Sequence, residues 1–364
     1  MKKNLLIYIP SIEEGGVEKN LYIISKFLSK KALNISLLTC NFNKINLFDK
    51  SIKYIGPKNN FWNKKSRKVK NLICLIILFF NLLLSNKKYL VFAFQSSITA
   101  IIISKLLGQK VVTRSNSSPV SFSKNFFYIK FYSLIIKFSD AVIVNSYEFS
   151  KLFFNKFKKK TIVIYNPFVP ETVKKLSKIK IKKSFSKKNL NIISVGRLTE
   201  QKNHITQLKA IKHIKKKYNP RLNIIGKGDK EDYLKSYIKE NNISKNVKLI
   251  GYKNNPFPYI IKSDILILSS KFEGLPNILL EAQYLKKYII SSNCSSGPKE
   301  ILMNGKAGDL FKLNDYKELA NKINNYCVNK KKCKKKILLG YKNLHRFDHK
   351  KNCQKYYEIL NNFF

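Results

Sequence analysis

Acidic residues are scarce in this sequence: 21 Asp and Glu stand against 71 Lys and Arg, a formal net charge of +50. That charge favours anionic surfaces, whether membrane or nucleic acid, and each lysine beside an anionic leaflet contributes roughly 1 kcal/mol. Part of it is background, because the lysines are dispersed and accompany many Ile and Asn, as a compositional bias would have it. Arginine is nearly absent. Only residues 67, 114, 197, 221 and 346 are Arg, and the guanidinium is the group that grips phosphate bidentately, so an Arg inside a motif says more than any Lys. The six cysteines (40, 74, 294, 327, 333 and 353) form no Cys-x-x-Cys pair and no regular framework, which fits a reduced, cytosolic protein.

Long apolar runs are missing too. The most apolar, Leu72–Leu84, is interrupted by Asn81 and is shorter than the ~20 residues of a spanning helix, so it reads as a buried or interfacial helix. The N-terminal Leu5–Ile9 is too short for a signal peptide and reads as a first strand. Asp-x-Asp does not occur, and no His precedes His204. His345 and His349 share a helical spacing but have no third ligand near them, so no metal site is expected.

What is present is core material. Hydrophobic residues make up 44%, with 25 Phe and 20 Tyr, and 364 residues suffice for two domains. Short apolar runs alternate with longer helical stretches, the pattern of α/β domains with parallel sheets. Strands are expected at Leu5–Ile9, Ile35–Thr39, Leu90–Phe94, Lys110–Thr113, Ala141–Val144 and Thr161–Ile164, with helices near 17–31, 66–86, 97–107, 124–138 and 147–156. A second series has strands at Asn191–Val195, Arg221–Ile225, Val247–Ile250, Ile265–Leu268 and Tyr288–Ser291, with helices near 203–217, 230–241, 256–262, 277–286 and 315–330. The expected division is a first domain over 1–168, a lysine- and serine-rich linker over 169–189 and a second domain over 190–340. A last helix within 341–364 is free to pack back on the first. Two such domains put a cleft between them, a preferred place for ligands.

Two motifs carry chemistry. Ser269-Ser270-Lys271-Phe272-Glu273-Gly274-Leu275-Pro276-Asn277 follows an apolar strand and opens a helix that contains Glu281, so it stands at a strand's C-terminal end, where α/β folds bind ligands. Pro276 suits the first helical turn, Gly274 permits close backbone approach, and the N–H groups from Asn277 onward favour a phosphate. Glu281 can accept two hydrogen bonds from a ribose diol, and Glu273 can meet sugar hydroxyls. The spacing of eight between the glutamates is no argument by itself, since about half a pair is expected by chance. The strand–loop–helix context is what counts. Ser194-Val195-Gly196-Arg197-Leu198-Thr199-Glu200-Gln201-Lys202-Asn203 likewise ends a strand, places Arg197 and Lys202 in the following loop, and offers Asn203 as a helix cap. An Arg after a strand is often only a surface ion pair. Beside a phosphate-favouring helix end, two cations would neutralise a diphosphate leaving group.

Together these segments resemble the retaining family 4 glycosyltransferases, whose GT-B fold is α/β with two Rossmann-like domains facing a cleft. The likeness extends through Gly226-Lys227-Gly228, Ile250-Gly251-Tyr252 and Ser295-Ser296-Gly297-Pro298-Lys299-Glu300. It implies Arg197 and Lys202 on the donor diphosphate, Glu281 on the ribose, Glu273 near the donor sugar, and Gly251-Tyr252 near the base. Ser-Gly-Pro followed by a cation and Glu is similar to members that use UDP-hexoses or UDP-N-acetylhexosamines. In the first half, Gly15-Gly16-Val17-Glu18 follows strand one and opens a helix, where the glycines let backbone approach the donor phosphates or the acceptor. The first-domain His that the family often carries is missing, and Arg114-Ser115-Asn116 stands after the strand that would supply it.

The resemblance implies front-face displacement, with the leaving phosphate taking the acceptor's proton, and a nucleotide sugar as substrate without a further cofactor. The absence of Asp-x-Asp agrees with metal-independent chemistry. Within Phe122–Phe138, aromatic residues interleave with Lys124, Lys130 and Lys137, a pattern shared by core-packed and interfacial helices. With the net charge, the expectation is an enzyme peripheral on the inner face of the cytoplasmic membrane, acting on a glycan or lipid-linked acceptor in surface polysaccharide or lipopolysaccharide synthesis. The competing readings are a basic nucleic-acid-binding protein and an inactive nucleotide-binding relative. Against the first, no helix-turn-helix, zinc-finger or RNA-recognition signature is present, so no nucleic acid is expected as a partner. Against the second, both glutamates and both phosphate-site cations are in place.

Overall fold

A computed structural model describes residues 3–13, 15–95, 97–116, 125–181, 185–186 and 188–364. It divides into two compact units, Met1–Pro167 with Phe347–Phe364, and Phe168–Arg346. In the first unit the chain runs β1 (Lys3–Tyr8), α1 (Gly16–Leu28), β2 (Leu33–Leu38), β3 (Lys53–Ile55), α2 (Arg67–Leu83), β4 (Tyr89–Ala93), α3 (Ser97–Leu106), β5 (Lys110–Arg114), α4 (Phe126–Lys137), β6 (Ala141–Val144), α5 (Tyr147–Phe157) and β7 (Ile162–Val163). The sheet is parallel throughout, in the order β3-β2-β1-β4-β5-β6-β7. Its strands are near-continuous apolar runs because both faces are covered. Leu5, Ile7 and Ile9 face a core shared with Leu21, Ile24 and Leu28 of α1. Leu6 and Tyr8, one residue out of phase, face the other core, with Leu78 of α2, Ile101 of α3, Tyr132 of α4 and Phe153 of α5.

The second unit runs α6 (Pro170–Ser177), β8 (Leu190–Val195), α7 (His204–Ile211), β9 (Pro220–Ile225), α8 (Glu231–Glu240), β10 (Val247–Gly251), α9 (Phe257–Ile261), β11 (Ile265–Leu268), α10 (Asn277–Tyr284), β12 (Tyr288–Ser292), α11 (Pro298–Ile301), β13 (Asp309–Phe311), α12 (Tyr316–Val328) and α13 (Lys330–Lys342). Its sheet is also parallel, in the order β10-β9-β8-β11-β12-β13. In both sheets the first strand of the unit pairs with one neighbour to its left and a much later strand to its right. That reversal of direction opens a crevice at the strands' C-terminal ends.

Three local expectations are corrected. The bridge over 169–189 begins with α6, which buries Val173 and accepts a 2.9 Å hydrogen bond at the Leu176 carbonyl from Asn255 Nδ2, so this stretch packs into the second unit. Residues 182–184 and 187 of the bridge, like Phe122 and Lys124 ahead of α4, lie outside the described residues. The last helix expected within 341–364 does not run from 341: α13 ends at Lys342, and α14 (His349–Asn361) starts afresh where the Asp348 side chain accepts from the Lys351 N–H at 2.8 Å. α14 belongs to the first unit, where Cys353, Tyr356 and Leu360 join the core beneath α1. Asn203 heads α7 without capping it. Its backbone is left-handed at φ 51°, and its side-chain amide donates instead to Thr206 Oγ1 at 2.8 Å and Asn314 Oδ1 at 3.0 Å.

Candidate active site in the second unit

β8 and β11 are neighbours across the reversal, with Ile192 opposite Ile265 and Ile193 opposite Leu266. The two motif loops therefore leave adjacent strand ends, although 71 residues separate their key side chains. Several bonds lace them together. Lys271 N–H donates to the Gln201 carbonyl at 2.8 Å, and Gln201 Nε2 donates to the Phe272 carbonyl at 2.9 Å. Ser269 Oγ bonds the Lys202 and Asn203 carbonyls, each at 2.9 Å, and receives Gln207 Nε2 at 2.7 Å. Lys271 also pairs with Glu200.

At the centre Lys202 Nζ meets Glu273 Oε1 at 2.5 Å, with side chains only 17% and 9% exposed. The same Glu273 oxygen accepts from Ser270 Oγ–H at 2.6 Å. Glu273 thus holds the ammonium at the sheet's C-terminal edge and is itself oriented by a buried serine. Burial, and then the negative field of Glu273, push the Cys294 thiol up to about 12. A third loop, after β12, packs against the loop that carries Glu273. Ser296 Oγ–H donates to the Glu273 carbonyl, and Gly297 at φ +55° lies so close to Gly274 that a Cβ there would stand 1.7 Å from the Gly274 oxygen. Only glycine fits that contact.

The other sequence-predicted residues are distributed around this pair. Leu275 and Pro276 are buried, and Pro276 takes the N-cap position of α10 and not its first turn, where its ring offers no side-chain acceptor. Asn277 is the first helical residue, and Glu281, buried, lies one turn further along the same face. Arg197 is exposed, and among the described residues no ion pair engages it. Gly251 ends β10 at φ +76°, followed by the exposed Tyr252, whose ring has Lys227 Nζ over it at 4.8 Å. Gly226 draws the loop after β9 against that after β8: a Cβ there would lie 1.9 Å from the Gly196 oxygen.

Sequence reasoning missed the supports of this site: Ser270, Ser296 and His204. His204 is buried behind Arg197, with Nε2 3.3 Å from the Arg197 carbonyl and Nδ1 3.4 Å from Ser194 Oγ. Burial pushes it down to about 4, the Arg197 carbonyl opposing, so the ring is neutral near pH 7. Serine is too common to stand out, but a His two residues after Lys202 of the loop that carries Arg197 was visible.

Gly15 and Gly16 stand in the first unit, at the N-cap and first position of α1. The buried Glu18 carboxylate accepts from Glu13 N–H and Gln95 Nε2, each at 3.4 Å, and burial raises its pKa. Arg114 is buried and engaged structurally: Nε donates to Tyr356 Oη and an Nη to Asn166 Oδ1, each at 2.8 Å, with the guanidinium also over Phe94. It ties α14 to the sheet.

Two parallel-sheet Rossmann-like units, the second with cations and carboxylates gathered at its strand reversal, define the GT-B class of fold. Residues 177–342, nearly the whole second unit, match the family model Glycosyl transferases group 1. An uncharacterized glycosyltransferase of Methanocaldococcus jannaschii is 32% identical over 222 residues, 57% of this chain and 55% of that protein. The N-acetylgalactosamine-N,N'-diacetylbacillosaminyl-diphospho-undecaprenol 4-alpha-N-acetylgalactosaminyltransferase of Campylobacter jejuni is 29% identical over 230 residues, 59% of this chain and 60% of that protein. The chain thus spans between half and two thirds of the length of these relatives. Among solved structures, Anabaena Alr3699/HepE in complex with UDP superposes with a TM-score of 0.78 at 19% identity, over 100% of both chains, a likeness of fold.

Proposed function

We propose that this protein is a retaining glycosyltransferase that moves a hexose or N-acetylhexosamine from a UDP-sugar to a glycan or lipid-linked acceptor in surface polysaccharide or lipopolysaccharide synthesis. The observation that carries the reading is the Lys202–Glu273 pair, braced by Ser270 beside the start of α10. Lys202 and the exposed Arg197 neutralise the diphosphate, with the helix start adding its partial positive charge. Glu281 takes the ribose, Gly251 and Tyr252 flank the base, Glu273 meets the donor sugar, and the Gly274–Asn277 backbone approaches the phosphate. The Gly15–Gly16 turn serves substrate binding in the first unit.

In the reaction the bond from the sugar's anomeric carbon to the diphosphate oxygen breaks, and a bond to the acceptor oxygen forms on the same face. The acceptor's proton passes to the departing phosphate. No enzymic base or metal ion enters this route, and stabilisation of the developing diphosphate charge lowers the barrier. The UDP held by the Anabaena protein and the lipid-linked substrate named for the Campylobacter enzyme support the donor and acceptor classes. An acceptor of that kind places the enzyme peripherally at the inner face of the cytoplasmic membrane.

Calorimetric titration in EDTA with UDP, ADP, GDP and a short DNA duplex tests the reading. Selective UDP binding, weakened at least tenfold by Glu281→Ala and by Arg197→Ala, is the expected result. Tight duplex binding without nucleotide preference would overturn it.

A further inference from the structure

Helix α2 is apolar on the side that faces away from its own core. Cys74, Leu78 and Leu82 are buried, whereas Leu72, Ile76, Phe80 and Leu83 are each about half exposed. Residues 72, 76 and 80 each stand two positions from a buried one, about 200° around a helix of 3.6 residues per turn. The stripe therefore lies opposite the core and is not its fringe. Helix α4 repeats the arrangement: Tyr132 and Ile136 are buried, and Phe131, Leu134 and Phe138 are exposed on the reverse, with Phe127 reaching 80% exposure. Both helices pack on the same side of the first unit's sheet, with α3 between them and Leu106 exposed at its end. Isolated exposed apolar side chains are ordinary, but aligned stripes on neighbouring helices mark an interaction face.

The charge around this face selects its partner. The stretch that includes all three helices, residues 50–139, holds sixteen Lys or Arg, of which Lys70 and Arg114 are buried, and no Asp or Glu, while Asp140 just beyond it pairs with Lys105 of α3. Lys64, Lys65, Arg67 and Lys68 lead into α2, Lys87 and Lys88 follow it, and Lys130 and Lys137 are exposed along α4. Between Lys70 and Lys87 no residue is charged. A second copy of the chain would bring the same cations to the seam and be repelled, and a nucleic acid has no use for the apolar stripes. An anionic bilayer uses both, since acyl chains accept the stripes and headgroups accept the lysines.

We propose that the outward faces of α2 and α4 form a membrane-docking surface that lies in the interface of an anionic bilayer. Each of the two helices rests along its length in the headgroup region. α2 has 17 residues and so spans about 25 Å, and among the described residues no helix is long and apolar enough to cross a membrane. The inference deepens the lipid-linked acceptor reading, since such an acceptor is presented at a bilayer, and it rests on that reading only for its biological purpose.

The sequence supplies its own probe. Trp62, the one tryptophan, sits in the turn Asn60–Lys64 immediately ahead of α2 and is only partly buried. The full chain is floated with neutral phosphatidylcholine vesicles and with vesicles containing phosphatidylglycerol, and Trp62 quenching by brominated lipid is recorded. The variants are Ile76→Glu/Phe80→Glu and Phe131→Glu/Leu134→Glu, all at exposed positions. Expected are flotation with anionic vesicles only, quenching of Trp62, and at least a tenfold loss of vesicle affinity in each double variant. Thermal unfolding and UDP affinity should stay as in the parent chain. Failure of the parent chain to float, or equal flotation of both variants, overturns the proposal. So does a dimer that the same substitutions dissociate, which would make this an interface between copies. Vesicle binding without UDP binding refutes the glycosyl-transfer reading and leaves the surface standing, and the converse result does the reverse.

Discussion

Replacing Lys202 by Met removes the cation from a carboxylate that is 9% exposed and otherwise receives the Ser270 hydroxyl. With nitrogen and oxygen 2.5 Å apart and the charge centres about 4 Å apart, the gross attraction is about 4 kcal/mol at an effective dielectric constant of about 20. Much of it offsets the desolvation of both groups, so the net contribution of the pair is smaller than the cost of breaking it. Lys202→Met strands the carboxylate and should destabilise the second unit by about 3 kcal/mol, the lower end for a buried pair, because the lysine end is in partial contact with water. Glu273→Gln leaves an ammonium that reaches solvent and should cost about 1 kcal/mol. The double variant should fall short of the sum by about 1 kcal/mol or more, the coupling of two groups in direct contact. Hydrogen exchange of the β8 and β11 amides reports the second unit separately from the first. UDP calorimetry on the same four proteins should show Lys202→Met losing far more affinity than Glu273→Gln, since in the proposed reading the ammonium meets the phosphate and the carboxylate positions it. Additive effects with each single variant within about 0.3 kcal/mol of the parent chain would refute the reasoning.

Two further outcomes follow from the supports of the site. His204 is neutral in the fold at about 4 against an ordinary value of 6.5, so below pH 6.5 the unfolded chain binds the proton first and stability falls with pH until about 4. The loss between pH 7 and 5 should be about 2 kcal/mol by urea titration, and His204→Gln should flatten that slope; an unchanged slope would assign the acid sensitivity elsewhere. Gly297→Ala forces a Cβ to within 1.7 Å of the Gly274 oxygen at a positive φ. The loop bearing Glu273 must then shift, and UDP affinity should drop at least tenfold in calorimetry while the first unit's unfolding is unchanged.

Much of this could be read from the chain because strand ends and loops use distinctive residues. Apolar runs bounded by Gly, Pro and Asn located most strands of both sheets, and Glu273-Gly274-Leu275-Pro276 marked the loop where binding is proposed. The short edge strands β3 and β13 went unread, since three residues leave no period to detect. Helix α13 was hidden by its lysines: Lys330–Lys342 is too cationic to show an apolar stripe, and only Cys333 and Gly340 are buried in it. Arg114 looked like a site residue because it follows a strand, yet its partners Tyr356 and Asn166 come from 242 and 52 residues away and make it a strut.

The sequence by itself determined that the chain forms parallel α/β units, because side-chain period and loop chemistry are local properties. It also determined that Arg197, Lys202, Glu273 and Glu281 belong to loops or helix starts following strands. Strand order was decided only by the tertiary structure. Placing β11 beside β8 joins Lys202 to Glu273, and neither residue carries information about the other. The same holds for α2 and α4: periodicity shows that both sides of each helix are apolar, but only packing decides which side the sheet covers and which faces outward.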